Sequence, residues 1–261
     1  NGAAIGDKVS DRVTFSSWLT TRPFTLPTHI GIYPVSTLTT TASTTIGVDT
    51  TWTLAQSPYI INSDVTVNAG IRLTFQPGVV VKLATGRSLV INGILDAVGT
   101  ANQRIVFTSL KDDSIAGDSN GDKNASQPRP GDWGRILFGN NSSDALTKLH
   151  FSEIRYGGFR SPTILHTINA DSASPSIQDN IIVNSIGYGI LVTNGGAPTL
   201  RNNLLLDNLA GGILLEKSST PTLDGNQFWG NSGYAVYSDG TCAPTLSNNL
   251  AHYNGKNGVR V

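Results

Sequence analysis

Methionine is absent from the sequence, and cysteine occurs once, at Cys242. A single thiol excludes an intrachain disulfide. Charge is scarce as well: 14% of residues are charged, and 18 Lys+Arg balance 18 Asp+Glu. Zero net charge lacks the phosphate-neutralising excess of a nucleic-acid binder, so no nucleic-acid partner is expected. No run of 18 apolar residues occurs, which excludes a helical membrane span. There is no initiator Met and no basic stretch leading into an apolar one, so the 261 residues read as a mature or excised segment. That length allows one or two domains and a sizeable core.

A strict repetition fills the C-terminal third. Pro175, Pro198, Pro221 and Pro244 recur every 23 residues, as do Asn180, Asn203, Asn226 and Asn249, and Ile190, Ile213, Val236 and Val259. A fixed period of this size marks a solenoid, propeller or array. The Leu-x-x-Leu-x-Leu frame of a leucine-rich repeat is missing. Helical repeats are disfavoured because Gly and Asn interrupt every few residues. Short β-branched runs lie between the interruptions, such as Ile181-Ile182-Val183. Three short strands and three bends in about 23 residues make one coil of an all-β parallel β-helix.

In that fold equivalent residues sit above one another. Ile177, Leu200, Leu223 and Leu246 are expected to form one internal aliphatic stack, with Cys242 at a turn position otherwise held by Gly196 or Ser219. Asn180, Asn203, Asn226 and Asn249 are expected to form a structural ladder at a bend, where Asn tolerates a left-handed backbone and bonds to neighbouring coils. Asn208, Asn231 and Asn254 mark a second polar stack, and Gly189, Gly212 and Gly258 a further bend. Ile154 precedes Ile177 by 23 residues, which puts the start of the strict phase near Phe151. Upstream, runs such as Ile71-Arg-Leu-Thr-Phe and Val79-Val-Val-Lys-Leu alternate and close on Gly or Pro, a looser version of the same plan.

The phrases Thr108-Ser-Leu-Lys-Asp-Asp, Gly117-Asp-Ser-Asn-Gly-Asp, Pro130-Gly-Asp-Trp-Gly and Ile154-Arg-Tyr-Gly-Gly resemble bacterial secreted right-handed parallel β-helix repeat proteins of the pectate-lyase-like solenoid superfamily. The resemblance covers residues 52–261 and implies a right-handed helix outside the cell or on its surface. Residues 1–22 resemble the closing end of a preceding β-helix unit. Residues 23–50 are a Thr/Pro-rich linker, and 51–261 form the helix domain with an inserted acidic loop at 110–132. This order suggests a tandem array or end-to-end self-association, since an uncovered solenoid end leaves strand edges unpaired.

Two candidate sites follow. Asp112, Asp113, Asp118, Asn120 and Asp122, with Asp132 nearby, place oxygen ligands at the spacing a hard cation such as Ca2+ requires; the pattern departs from an EF-hand, with Gly121 too early and no Glu at position twelve. Trp133 and Tyr156, together with Trp229, Tyr234, Tyr237 and Tyr253, are candidates for stacking against a polysaccharide. No pair of carboxylates is singled out for glycoside hydrolysis. The leading expectation is therefore an extracellular structural or adhesive module, and the alternative is a carbohydrate-binding or polysaccharide-cleaving protein.

Overall fold

The computed structural model describes residues 39–159, 166–256 and 258–260. They wind into a parallel β-helix. Its strands form three sheets, two of nine strands and one of eight, and every pairing is parallel. One coil shows the plan. Ser176–Gln178 lies in sheet C, Ile181–Val183 in sheet A, and Tyr188–Thr193 in sheet B. The next coil repeats it with Thr199–Arg201, Leu204–Leu206 and Gly211–Leu215.

Alternation decides what faces inward. In sheet C, Ile177, Leu200, Leu223 and Leu246 are stacked in register and buried. Sheet A contributes Ile182, Leu205, Phe228 and Ala251; sheet B contributes Ile190, Ile213 and Val236. One continuous apolar column thus runs along the axis, and each coil buries its surface only against its neighbours. Residues 1–38 are outside the described residues, and with them the closing segment 1–22 and most of the linker expected from the sequence. The linker boundary at residue 50 needs correction, because Thr40–Thr41, Thr45–Ile46 and Thr50–Trp52 already build the first coil.

Two polar columns hold the bends. Asn180 Nδ2 donates to Asn203 Oδ1 at 3.0 Å and to the Leu149 carbonyl one coil back at 2.8 Å; the Asn180 backbone N–H also donates to Asn203 Oδ1. Asn203 and Asn226 repeat the pattern toward Asn226 and Asn249. Asn208, Asn231 and Asn254 form a second ladder of the same design at the next bend. The left-handed backbone does not belong to the ladder residues themselves. It falls on the residue before each: Asp179, Asn202, Gly225 and Asn248 at the first bend. That residue turns the chain, and the ladder asparagine is free to point inward.

Two other expectations are corrected. Gly189 and Gly212 lie within strands and face the core: a Cβ at Gly212 would stand 2.4 Å from Phe228 and from the Ala235 carbonyl. Ile154 pairs with Ile182, not Ile177, whose partner is Leu149, so the 23-residue phase starts one coil later than near Phe151. The acidic insertion leaves sheet A after Ile105–Ser109 and rejoins the helix at Ile136–Phe138 in sheet B.

His166 gives the helix a pH response. Burial, together with the Arg135 guanidinium, lowers its pKa to about 4. Its Nδ1 accepts the Tyr188 backbone N–H at 3.0 Å, a role only the unprotonated nitrogen fills. Between about pH 6.5 and about pH 4 the unfolded chain binds a proton that the folded chain refuses. Stability from this group is therefore complete above about 6.5 and declines as pH falls, by on the order of 3 kcal/mol at pH 4. Urea titrations from pH 7 to 4 should show a shallower decline in His166→Asn than in the parent.

Candidate metal centre in the inserted loop

The insertion folds back over the outer face of sheet A. Ile115 and Ala116 pack on Val80 and Val106, two strand residues that point away from the core. This apolar contact anchors a segment that is otherwise polar. Lys82, on the same outer face, is fully buried beneath the loop, and its Nζ donates to the Gly117 carbonyl at 2.5 Å. Burial lowers the Lys82 pKa, while the carboxylates of Asp112, Asp113 and Asp118 oppose the shift.

Above this floor the chain turns tightly through Asp118 and Asp122. Asp118 Oδ1 accepts the Gly121 and Asp122 N–H groups, and Oδ2 accepts that of Lys123. These amides, Lys123 foremost, lower its pKa. Asp122 is lowered chiefly by the Ser126 hydroxyl, and then by the Ser126 and Ala125 amides. Both carboxylates are thus held charged. Asp113 is the contrast. Its two oxygens are shut off from solvent and neither has a hydrogen-bond partner. The Asn124 amide is near enough to help the charged form a little but is not aligned to donate to it. Burial, reinforced by Asp118, raises its pKa, with Lys82 pulling the other way.

Asp113, Asp118 and Asp122 each offer an oxygen within 4.8 Å of the others. Three carboxylates at that spacing repel, and Lys82 offsets only part of the charge. A hard divalent cation would relieve the repulsion and supply the orphaned Asp113 oxygens with a partner. The donor set is all oxygen, as such an ion requires.

Of the four expected carboxylate ligands, three meet. Asp112 points the other way, into the helix wall. It accepts from Thr108 Oγ1 at 2.6 Å and from Ser114 Oγ at 2.5 Å, and pairs with Arg155 at 3.4 Å. Asn120 is a brace: its Nδ2 donates to Asp122 at 2.8 Å and to Ser126 at 3.0 Å. Asp132 serves a separate network with Ser109, Lys111 and the Arg129 amide. Lys82 and Ser126 were not legible as site residues. Lys82 reads as the outward lysine of an alternating strand, and only the fold-back of the loop buries it.

The stacking aromatics also separate. Trp133 is fully buried, and its indole N–H donates to the Arg155 carbonyl at 2.7 Å. No face of its ring is open to a sugar, so it is withdrawn as a contact residue. Tyr156 is half-buried under the Arg155 guanidinium, 5.0 Å from the ring centroid. Tyr234 and Tyr237 remain partly open on the outer side of sheet B, with centroids 5.4 Å apart and Lys256 and Arg260 above them.

Fold and site define a parallel β-helix module with one acidic insertion. Residues 135–261 match the family described as "Right handed beta helix region". Protein bark beetle of Drosophila melanogaster is 47% identical over 55 residues, which is 21% of this chain and 2% of that protein. The match therefore spans a small fraction of that relative's length. No solved structure matches the chain.

Proposed function

We propose that this chain is a structural or adhesive segment of an extracellular β-helix array, stacked end to end on adjoining units and clasped by calcium in its acidic loop. The observation that carries the reading is a stacking design that is the same from coil to coil. The ladder asparagine finds the next asparagine's Oδ1 for its backbone N–H and for one amide hydrogen. Its other amide hydrogen goes to a carbonyl one coil back. Coils of this kind join by the same contacts whether the next one comes from adjoining chain or from a second copy.

Electron microscopy of the purified chain and of its source material tests this. Nine coils at the strand spacing of roughly 4.8 Å make a rod of about 43 Å. Rods that lengthen in steps of that size, and stop lengthening when Leu246→Lys and Ala251→Arg are introduced in the end coil, are the expected result. Single rods under every condition would remove end-to-end stacking.

The calcium and the extracellular setting are proposed together, because oxygen-ligand sites of modest affinity, with Kd of about 10⁻⁴–10⁻³ M, are filled outside the cell. Calorimetric titration with CaCl2 should show one site per chain. Twenty-fold excess over Kd should add about 2 kcal/mol of stability. Asp118→Asn should weaken binding about tenfold, whereas Asp132→Asn, outside the cluster, should leave it unchanged. Heat of binding that persists in Asp118→Asn at full affinity would exclude this loop.

Carbohydrate contact is a second reading, favoured by the Tyr234–Tyr237 pair and its two flanking cations. Glycan-array binding lost in Tyr237→Ala would support it.

A further inference from the structure

The outer face of sheet C brings a serine and a histidine into contact. Lys148–His150 and Ser176–Gln178 are neighbouring parallel strands in adjacent coils, with Lys148 opposite Ser176 and His150 opposite Gln178. Leu149 and Ile177 point inward and are fully buried, so the residues flanking them share the outer face. His150 Nε2 stands 2.8 Å from Ser176 Oγ, and Gln178 Nε2 donates to the same oxygen at 2.7 Å. An amide nitrogen only donates, so the hydroxyl accepts from Gln178 and keeps its own hydrogen for another group. Among the described residues, His150 Nε2 is the acceptor within its reach. The ring proton then sits on Nδ1, and Nε2 presents a lone pair to the serine. That is the arrangement of a nucleophile and its base. All three side chains are half-buried, so they are held in place and still open to solvent.

The surroundings suit proton transfer. Burial, with Lys148 next, lowers the His150 pKa, so the ring is an uncharged base at neutral pH. Asp179 and Asp96 act in the opposite sense and favour the imidazolium once a proton arrives. Lys148, opposite Ser176, carries the positive charge that an oxyanion forming at the serine requires. Thr199 and Arg201 follow on the next coil, opposite Ser176 and Gln178.

We propose that Ser176 and His150 form a nucleophile–base pair that hydrolyses small carboxylic esters presented to the outer face of sheet C. Ser176 Oγ bonds to the ester carbonyl carbon as its proton passes to His150 Nε2, and the carbonyl π electrons move onto the oxygen beside Lys148. Re-forming the carbonyl breaks the bond to the alcohol oxygen, which leaves with the proton from Nε2. Water then attacks the acyl–Ser176 ester. His150 takes the proton of that water and returns it to Ser176 Oγ as the carboxylic acid departs. The side chains around Ser176 are Lys148, Gln178, Thr199 and Arg201, all polar, which suits an acetyl-sized group on a polar alcohol and not a lipid chain.

The activity depends neither on end-to-end stacking nor on the metal loop, so its test is independent of both. The full chain is treated with a fluorophosphonate probe, and the adduct is located by peptide mass mapping. One adduct per chain, on Ser176, is the expected result. Ser247, an outer-face serine of the same sheet that donates to Asp224 at 2.8 Å, should stay unlabelled. His150→Gln keeps the serine and should slow labelling about 100-fold. Hydrolysis of p-nitrophenyl acetate should fall by a similar factor in Ser176→Ala, with the circular dichroism spectra of both variants unchanged. No adduct, an adduct on another residue, or equally fast labelling in His150→Gln would overturn the proposal. Acetate-ester hydrolysis that survives Ser176→Ala would overturn it as well, because the imidazole alone would then be the catalyst.

Discussion

Asn203→Ala is expected to lower stability by about 4 kcal/mol, a cost out of proportion to the few atoms removed. The side chain accepts from the Asn180 backbone N–H at 3.1 Å and from Asn180 Nδ2 at 3.0 Å, and donates to the Ile177 carbonyl at 2.9 Å and to Asn226 Oδ1 at 3.0 Å. Asn203 is fully buried, and so is the Asn180 amide that relies on it. Truncation leaves two donors without partners in a place water does not reach, and takes one of its bonds from the Ile177 carbonyl. Each orphaned buried group costs about 1–3 kcal/mol, more than the net gain of an ordinary hydrogen bond. Chemical denaturation followed by circular dichroism measures the loss. Gln227→Ala, on the exposed outer face, should stay within about 0.5 kcal/mol of the parent. Equal effects of the two substitutions would show that the ladder contributes little.

Gly93→Ala is expected to cost about 3 kcal/mol or more. A Cβ at that position would stand 2.2 Å from the Asn68 carbonyl oxygen and 2.3 Å from that of Ile71. Both are backbone atoms, and the Ile71 carbonyl also accepts the Ile94 N–H at 2.8 Å. Neither coil can move aside without breaking the hydrogen bonds that stack it on the other. Gly70→Ala is the comparison. There φ is +77° and no atom lies within 4 Å of the added carbon, so only backbone strain is incurred, about 1 kcal/mol. A larger loss at Gly70 than at Gly93 would contradict the close-approach argument. Because coils couple only to neighbours, the Gly93 lesion should unfold the N-terminal coils first.

Legibility in the sequence followed the regularity of the coil. Where the period is constant, one position defines a whole column, and the asparagine ladder and the Ile177 stack could be read directly. Upstream the coil length varies. Tyr59 pairs with Val81, Val81 with Phe107 and Phe107 with Ile154, successive steps of 22, 26 and 47 residues. No periodicity survives such variation, so the strands were visible there but their partners were not. Ile154 misled for this reason: a chance spacing of 23 to Ile177 imitated the repeat.

The acidic loop was legible as composition and not as geometry. Asp112 and Asp113 are adjacent in sequence, yet one is held by Arg155 and Thr108 in the wall and the other faces Asp118 and Asp122. Trp133 likewise reads as an aromatic available for stacking until the fold closes over it.

The amino-acid sequence by itself determined the architecture of this protein: the 23-residue period, the short alternating strands and the turn residues leave a parallel β-helix as the solution, because identical coils can bury their apolar side only on one another. Tertiary structure alone decided the site. Which carboxylates converge, which lysine lies beneath them and which aromatics stay open depend on how a non-repeating insertion packs through Ile115 and Ala116 against Val80 and Val106, and that contact between segments distant in sequence leaves no periodic trace.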